Sequence, residues 1–131
     1  MKSMLKAAVL AIASLVLAAC ATVATPPPLA TGDWVLARWQ DDQTYYFPAI
    51  ITAREGDVLT LQYDDGDTGA QPSANVRAFD WEPGTRLECR WTDGIFYPAV
   101  IAQMDSGRYR IEVLYDDGDK RATDTSQCRG Q

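Results

Sequence analysis

The pentapeptide YDDGD occurs twice in this chain, at residues 63–67 and again at residues 115–119. Asp-Gly is a strong signal for a tight hairpin turn, because glycine adopts a positive φ without steric cost. A turn explains the Asp-Gly pair, but it explains neither the tyrosine nor the repetition. The two copies therefore indicate an internal repeat.

Alignment outward from the two pentapeptides extends the repeat over most of the chain. Trp39 matches Trp91, and the sequence FPA at residues 47–49 matches YPA at residues 97–99. We predict two homologous modules, at residues 32–78 and 84–130. The short segment between them carries Phe79 and Trp81, which are candidates for the contact between the modules.

Each module has the pattern of five short strands. Leu87, Cys89 and Trp91 alternate with charged residues, and this period of two is typical of a half-buried strand. Proline opens the second strand, where a missing N–H is tolerated, and DDGD follows the third. A short fourth strand and a brief closing segment complete the set. No segment has a helical period, so we predict an all-β fold of two tandem, five-stranded SH3-like barrels.

The N-terminal residues indicate export. Lys2 and Lys6 precede an apolar run at residues 7–17, which is short of the roughly 20 residues that span a bilayer. We therefore predict a signal peptide at residues 1–19 and a proline-rich tether at residues 20–31.

The end of the predicted signal peptide, LAAC at residues 17–20, resembles the lipobox of bacterial lipoproteins. That resemblance implies a lipid anchor on Cys20. Because Ala21 follows the cysteine, it also implies the periplasmic face of the outer membrane. The alternative is ordinary cleavage before Cys20, which would release a soluble periplasmic protein.

Charge and composition limit the possible functions. The net charge is −6, and loss of Lys2 and Lys6 with the signal peptide would make it more negative. This balance argues against nucleic acid as a partner, because phosphate binding requires clustered Lys and Arg. The chain has no histidine and no Cys-His or Ser-His pair. We therefore expect no enzyme activity and no cofactor.

Two cysteines remain in the predicted modules. Cys89 lies on the first strand of the second module and Cys128 lies in its closing segment, where the first module has Ala37 and Val76. First and last strands are neighbours in a small barrel, and exported proteins meet an oxidising compartment. We predict a disulfide between them, with two buried thiols as the alternative.

The repeated pattern of Trp, aromatic-Pro-Ala and Tyr-Asp-Asp-Gly-Asp resembles the Tudor module of the Tudor, Agenet, chromo and MBT superfamily. In that superfamily, aromatic residues at these positions form a cage for methylated lysine or arginine, and an acidic residue of the turn contacts the cation. Asp67 and Asp119 stand where many members have a further aromatic residue, which leaves three walls and a more acidic cage.

The resemblance implies two cages in this chain. The candidate ligand-binding residues are Trp39, Phe47, Tyr63 and Asp65 in the first module, and Trp91, Tyr97, Tyr115 and Asp117 in the second.

The cage residues support a non-catalytic binding module. Its partner would be a cationic peptide, an envelope protein or an amine-bearing ligand, because a cation is attracted to aromatic faces. Four alternatives stay open. The aromatic residues could simply pack the fold, the barrels could serve as a structural spacer, or an SH3-like barrel could bind peptidoglycan peptide. Weak Ca²⁺ binding could also occur at Asp64, Asp65 and Asp67, or at Asp116, Asp117 and Asp119, although DDGD lacks EF-hand spacing.

Overall fold

The computed structural model describes residues 28–131, and within them it confirms the all-β prediction. The predicted signal peptide, Cys20 and most of the predicted tether lie outside the described residues. Within that range, no helix has the length and apolarity needed to cross a lipid bilayer.

The first module has five strands, which are β1 (Trp34–Trp39), β2 (Asp42–Glu55), β3 (Val58–Tyr63), β4 (Thr68–Pro72) and β5 (Val76–Ala78). They form one antiparallel sheet with the order β4-β3-β2-β1-β5. A single 3-10 turn, Ser73–Asn75, joins the two edge strands β4 and β5, so the sheet curls toward a barrel.

The second module has the strands β6 (Arg86–Arg90), β7 (Phe96–Met104), β8 (Arg110–Tyr115), β9 (Lys120–Asp124) and β10 (Cys128–Arg129). They repeat the arrangement of the first module, with the order β10-β6-β7-β8-β9. The 3-10 turn Thr125–Gln127 again joins the two edge strands, β9 and β10.

The first module departs from the predicted strand pattern at β2. The sequence predicts a long turn before Phe47, but β2 begins at Asp42. The pairing of β1 with β2 shifts between Arg38 and Trp39, so the two extra residues of this copy are absorbed as a bulge within the hairpin.

Alternation along the strands builds a separate core in each module. Leu59, Leu61 and Tyr63 of β3 are buried while their neighbours are exposed. Ile111, Val113 and Tyr115 of β8 are buried in the same alternation, with Glu112 and Leu114 between them only partly exposed. The period of two therefore places the tyrosine of each YDDGD copy at the end of a core-facing row.

The YDDGD turn is held at both ends by backbone hydrogen bonds. In the first copy, the Tyr63 N–H donates to the Asp67 carbonyl (2.8 Å), and the Gly66 N–H donates to the Tyr63 carbonyl (2.9 Å). Gly66 has a φ of 98°, a conformation that L side chains rarely adopt. The second copy repeats these bonds, and Gly118 has a φ of 97°.

The turn is also attached to a neighbouring strand. The Asp64 N–H donates to the Pro48 carbonyl (2.9 Å), and the Asp116 N–H donates to the Pro98 carbonyl (3.2 Å). The turn and the start of the second strand therefore lie side by side in both modules, which brings their aromatic residues together.

The predicted disulfide is present. Cys128 of β10 lies directly opposite Cys89 of β6, with their Cα atoms 4.1 Å apart, and their sulfurs are bonded. Val76 and Ala37 are paired in the same way in the first module. The bond therefore replaces an apolar cross-strand contact that the first module retains.

The two modules share an apolar contact made largely by the segment between them. Phe79 and Trp81 are buried in the same cluster as the second module's core residues. Leu36 joins this cluster, although it lies on the face of β1 opposite the first module's own core. The contact thereby buries a leucine that an isolated first module would expose to solvent.

The C-terminal residues extend the contact into the sheet of the first module. Gly130, just after β10, exchanges two backbone hydrogen bonds with Tyr46 of β2, with N···O distances of 2.7 and 2.9 Å. A Cβ atom on Gly130 would lie 3.2 Å from Nε1 of Trp81, a tight contact that would require the indole to shift by a few tenths of an ångström, so glycine suits this close approach. Main-chain pairing and aromatic packing therefore fix the two modules to each other.

A half-buried acid, Asp64, lies at the same contact. The Thr125 hydroxyl, fully buried in the second module, donates to Oδ2 of Asp64 (2.6 Å). Burial is the main cause that raises the pKa of Asp64, and Asp124 and Asp65 raise it further. The Thr125 hydroxyl and the nearby Trp34 indole oppose that rise, although Trp34 Nε1 reaches no partner at full hydrogen-bond geometry.

We expect Asp64 to make the stability of the fold depend on pH. Because its pKa is higher in the folded than in the unfolded chain, its contribution to stability grows as pH falls through the folded-state pKa and is lost as pH rises. We expect Asp64→Asn to gain stability relative to wild type on going from about pH 4 to neutral pH. Urea unfolding of both proteins at each pH measures the difference in their free energies of unfolding, and a difference that does not change with pH would contradict the prediction.

Thr125→Val should lower stability most at neutral pH, while Thr125→Ser retains the hydroxyl as control.

The stabilisation by the disulfide can be measured against the first module, which has an alanine and a valine at the matching positions. We expect the double substitution Cys89→Ala and Cys128→Val, which installs the first module's pair, to cost about 2–4 kcal/mol in the free energy of unfolding. The cost arises because the unfolded chain loses a covalent constraint. Urea unfolding with and without reductant checks it. Reduction should destabilise wild type by a similar amount and leave the variant unchanged.

Candidate cation-binding site

A pocket of about 410 Å³ opens at the end of the second module where the YDDGD turn meets the start of β7. Its walls combine aromatic rings with carboxylates, and its lining includes no lysine or arginine. The lining residues are Trp91, Asp93, Tyr97, Pro98, Tyr115, Asp116, Asp117 and Asp119.

Trp91 and Tyr115 form a corner of the pocket. Their ring centroids are 5.3 Å apart and the rings are nearly perpendicular, at 85°. The Tyr115 hydroxyl donates to the Arg90 carbonyl (2.8 Å), which fixes the ring against the end of β6. Burial raises the pKa of Tyr115, although Arg121 opposes the rise. Tyr115 is therefore both a core residue and a wall, because one part of its ring packs inside the module and another part faces the pocket.

Tyr97 supplies the third ring, and a carboxylate holds it in place. Its hydroxyl donates to Oδ2 of Asp93 (2.7 Å), while Oδ1 of Asp93 accepts the Ile95 N–H (2.9 Å). These hydrogen bonds lower the pKa of Asp93, with the Tyr97 hydroxyl the largest cause. Tyr97 is 39% exposed, so its ring is available to a ligand. Asp93 thus orients an aromatic wall and keeps a negative charge beside it.

The remaining carboxylates of the pocket differ in the number of hydrogen bonds that they accept. Oδ1 of Asp117 accepts the Asp119 N–H (3.0 Å), and both oxygens of Asp116 accept from Arg86 at 2.9 and 3.0 Å. Among the described residues, the Asp119 carboxylate has no hydrogen-bond partner. The pocket therefore combines a strongly negative lining with acceptors that remain free.

The corresponding pocket of the first module contains the predicted cage residues and two cations as well. It measures about 270 Å³. Trp39 and Tyr63 again meet at a right angle, with centroids 5.0 Å apart and an interplanar angle of 87°. Burial and the Asp65 charge raise the pKa of Tyr63 to about 12. The lining residues are Trp39, Asp42, Phe47, Tyr63, Asp65, Asp67, Arg90, Phe96 and Arg129.

The second module supplies both cations. The Arg129 guanidinium lies 3.8 Å from the ring centroid of Tyr45 and 4.0 Å from that of Phe96. It also pairs with Glu88 at 2.9 Å and lies 3.8 Å from Asp42. A cation held between two aromatic faces and two carboxylates already occupies the edge of this pocket.

The structure brings each predicted set of cage residues into one pocket. Trp39, Phe47, Tyr63 and Asp65 line the first, and Trp91, Tyr97, Tyr115 and Asp117 line the second. Whether either set binds a ligand stays a prediction.

Sequence reasoning missed Asp93 and Asp116 as residues of the second pocket, and it noted Asp119 at a cage position without including it among the candidate binding residues. The Asp-Gly at residues 93–94 is a detectable signal, because it marks the hairpin turn before β7, and Asp93 lines the same pocket as the YDDGD turn. Sequence reasoning also missed the arginines of the first pocket, since no local pattern shows which module faces which.

Within residues 28–131, no group of three or more Cys, Asp or Glu residues is arranged to hold a metal ion. The acids of each YDDGD copy point to different neighbours. In the first copy Asp64 faces Thr125 while Asp65 accepts the Asp67 N–H, and in the second Asp116 faces Arg86.

Comparison with known proteins gives structural similarity alone. No protein-family profile and no curated protein matches the chain. The crystal structure of ADCP1 tandem Agenet domain 3-4 is 14% identical, with a TM-score of 0.38, over 79% of this chain and 81% of that chain. The crystal structure of Arabidopsis thaliana AGDP1 AGD34 is also 14% identical, with a TM-score of 0.40, over 79% and 83% of the two chains. At this level of similarity, the strands of the chain itself establish its fold.

Proposed function

We propose that this chain is a non-catalytic binding protein of the cell envelope, and that its second module recognises a cationic group on a peptide or a small ligand. The observation that carries the proposal is the pocket of about 410 Å³, in which three aromatic rings and four carboxylates converge without a basic side chain.

The physical basis is the attraction of a cation to aromatic faces, about 0.5–2 kcal/mol for a well-placed ring. Carboxylates add charge-assisted hydrogen bonds where the cation keeps an N–H. The perpendicular rings of Trp91 and Tyr115 present two faces to one volume. The hydrogen bond to Asp93 holds Tyr97 beside them, which reduces the ordering that a ligand would have to impose.

The electrostatics of the two pockets favour the second module over the first. Arg90 and Arg129 line the first pocket and offset most of the charge of its three carboxylates. An incoming cation there would meet like charges. Around the second pocket, Arg86 is paired with Asp116, and Arg121 lies 5.8 Å from the ring centroid of Trp91. Neither arginine lines the second pocket.

The envelope location is part of the proposal and rests on the N-terminal sequence. A lipid on Cys20 would tether the modules to a membrane, since each buried CH₂ contributes about 0.8 kcal/mol to anchoring. A ligand would then be an envelope protein segment or an amine-bearing molecule of that compartment.

Lipidation is tested directly by metabolic labelling. We expect wild type to incorporate labelled palmitate and to fractionate with membranes, while Cys20→Ser does neither, because the acceptor thiol is gone. Recovery of unlabelled wild type in the soluble periplasmic fraction would instead support ordinary cleavage before Cys20.

Cation binding is tested by a matched pair of substitutions. We expect Trp91→Ala to weaken binding of lysine amide and its methylated forms by about 2- to 30-fold, as expected for loss of one ring. Trp39→Ala, the same change in the first module, should leave binding within about twofold. Amide chemical shifts in NMR titrations report both affinity and the residues affected, and Trp91→Phe keeps an aromatic face as control.

The outcome also separates binding from a purely structural role. Equal weakening by the two alanine variants would contradict the assignment to the second module. Absence of any shift at Tyr97, Tyr115 or Asp117 in wild type would leave the aromatic rings with packing as their only role.

A further inference from the structure

The second pocket contains free hydrogen-bond acceptors that a fully methylated cation could not use. The Asp119 carboxylate accepts no hydrogen bond from the described residues, and Asp117 accepts one on Oδ1 only. A quaternary ammonium has no N–H, so it would contact the rings and leave these acceptors unpaired. An ammonium that keeps its hydrogens can use the rings and the carboxylates together.

The charge of the pocket exceeds what one monovalent cation neutralises. Four carboxylates line it, and only Asp116 is paired with a base, Arg86, at 2.9 Å. The volume of about 410 Å³ lies within the range of about 300–1,000 Å³ that small-molecule sites occupy. Both observations favour a ligand that is longer than a single ammonium head and carries more than one positive charge.

We propose that the second pocket selects cations that keep N–H donors and carry at least two positive charges, with Asp119 as the residue that determines this specificity. Linear polyamines have this chemistry, and so do adjacent basic side chains on a peptide. The proposal rests on the function proposed above and adds the class of ligand.

The first module has the same turn in different electrostatic surroundings. Its counterpart of Asp119 is Asp67, which lies in a pocket that Arg90 and Arg129 also line. Both turns make the same backbone bonds, in which the aspartate carbonyl accepts the tyrosine N–H at 2.8 Å. Asp67 is therefore a control for any effect of the substitution on the turn itself.

The side chain of Asp119 can be changed with little expected cost to the fold. Its backbone closes the turn, but its carboxylate is exposed and makes no hydrogen bond among the described residues. Asp119→Asn keeps the shape and removes the charge. Asp119→Phe removes the charge and adds an aromatic ring.

The experiment titrates the full tandem with four probes at equal ionic strength. Spermidine and a Lys-Lys dipeptide amide have N–H donors and multiple charges, methylammonium has donors and one charge, and tetramethylammonium has neither donors nor a second charge. Calorimetry gives the affinities, and circular dichroism with thermal unfolding verifies that each variant is folded.

We expect spermidine or the dipeptide amide to bind at least about tenfold more tightly than tetramethylammonium, a difference of about 1.4 kcal/mol. Asp119→Asn should weaken the multivalent probes by about tenfold and leave tetramethylammonium within about twofold. Asp67→Asn should change none of the four. Asp119→Phe should reduce or reverse the preference, because it exchanges an acceptor for a ring.

Each outcome supports or overturns a specific step. Tighter binding of spermidine than of the dipeptide amide identifies a free polyamine as the ligand, and the opposite order identifies a basic peptide. Binding of tetramethylammonium as tightly as spermidine, still weakened by Trp91→Ala, overturns the specificity but retains the proposed function. Failure of all four probes to bind overturns both.

Discussion

The arrangement of this molecule depends on the contact between its two modules. Phe79 and Trp81 are buried with core residues of the second module, and Leu36 of the first module lies among them. Gly130 pairs its backbone with Tyr46 next to the Trp81 indole. Because apolar packing and main-chain pairing act at the same place, the relative position of the modules is fixed by groups that would be unfavourable to expose.

That contact gives two similar pockets different electrostatic surroundings. Arg129 belongs to the closing segment of the second module, yet its guanidinium lies between Tyr45 of the first module and Phe96 of the second. Two arginines of the second module therefore line the first pocket, while no lysine or arginine lines the second. The repeat supplies two copies of the same turn and rings, and the docking leaves one of them available to an incoming cation.

The two YDDGD copies show how one short sequence serves several structural needs. Each tyrosine is the last buried residue of its strand, and its hydroxyl donates to a main-chain carbonyl at the end of the first strand of its module. Each glycine adopts a positive φ. The first aspartate of each copy then diverges, because Asp64 is half-buried at the module contact while Asp116 pairs with an exposed arginine. Identical residues acquire different roles once the neighbouring surface differs.

The sequence by itself determined the repeat, the strand pattern and the pairing of Cys89 with Cys128. These features follow from spacing, alternation and the turn chemistry of Asp-Gly, which act over short distances along the chain. The expectation that Trp91, Tyr97 and Tyr115 lie together came instead from the resemblance of the repeated pattern to Tudor modules.

Only the tertiary structure decided that Asp93 orients Tyr97, that Leu36 is buried, and that Arg129 enters the first pocket. Each of these contacts forms between segments that the fold brings together in space. Local sequence patterns cannot predict such contacts, because they describe only residues that are close along the chain.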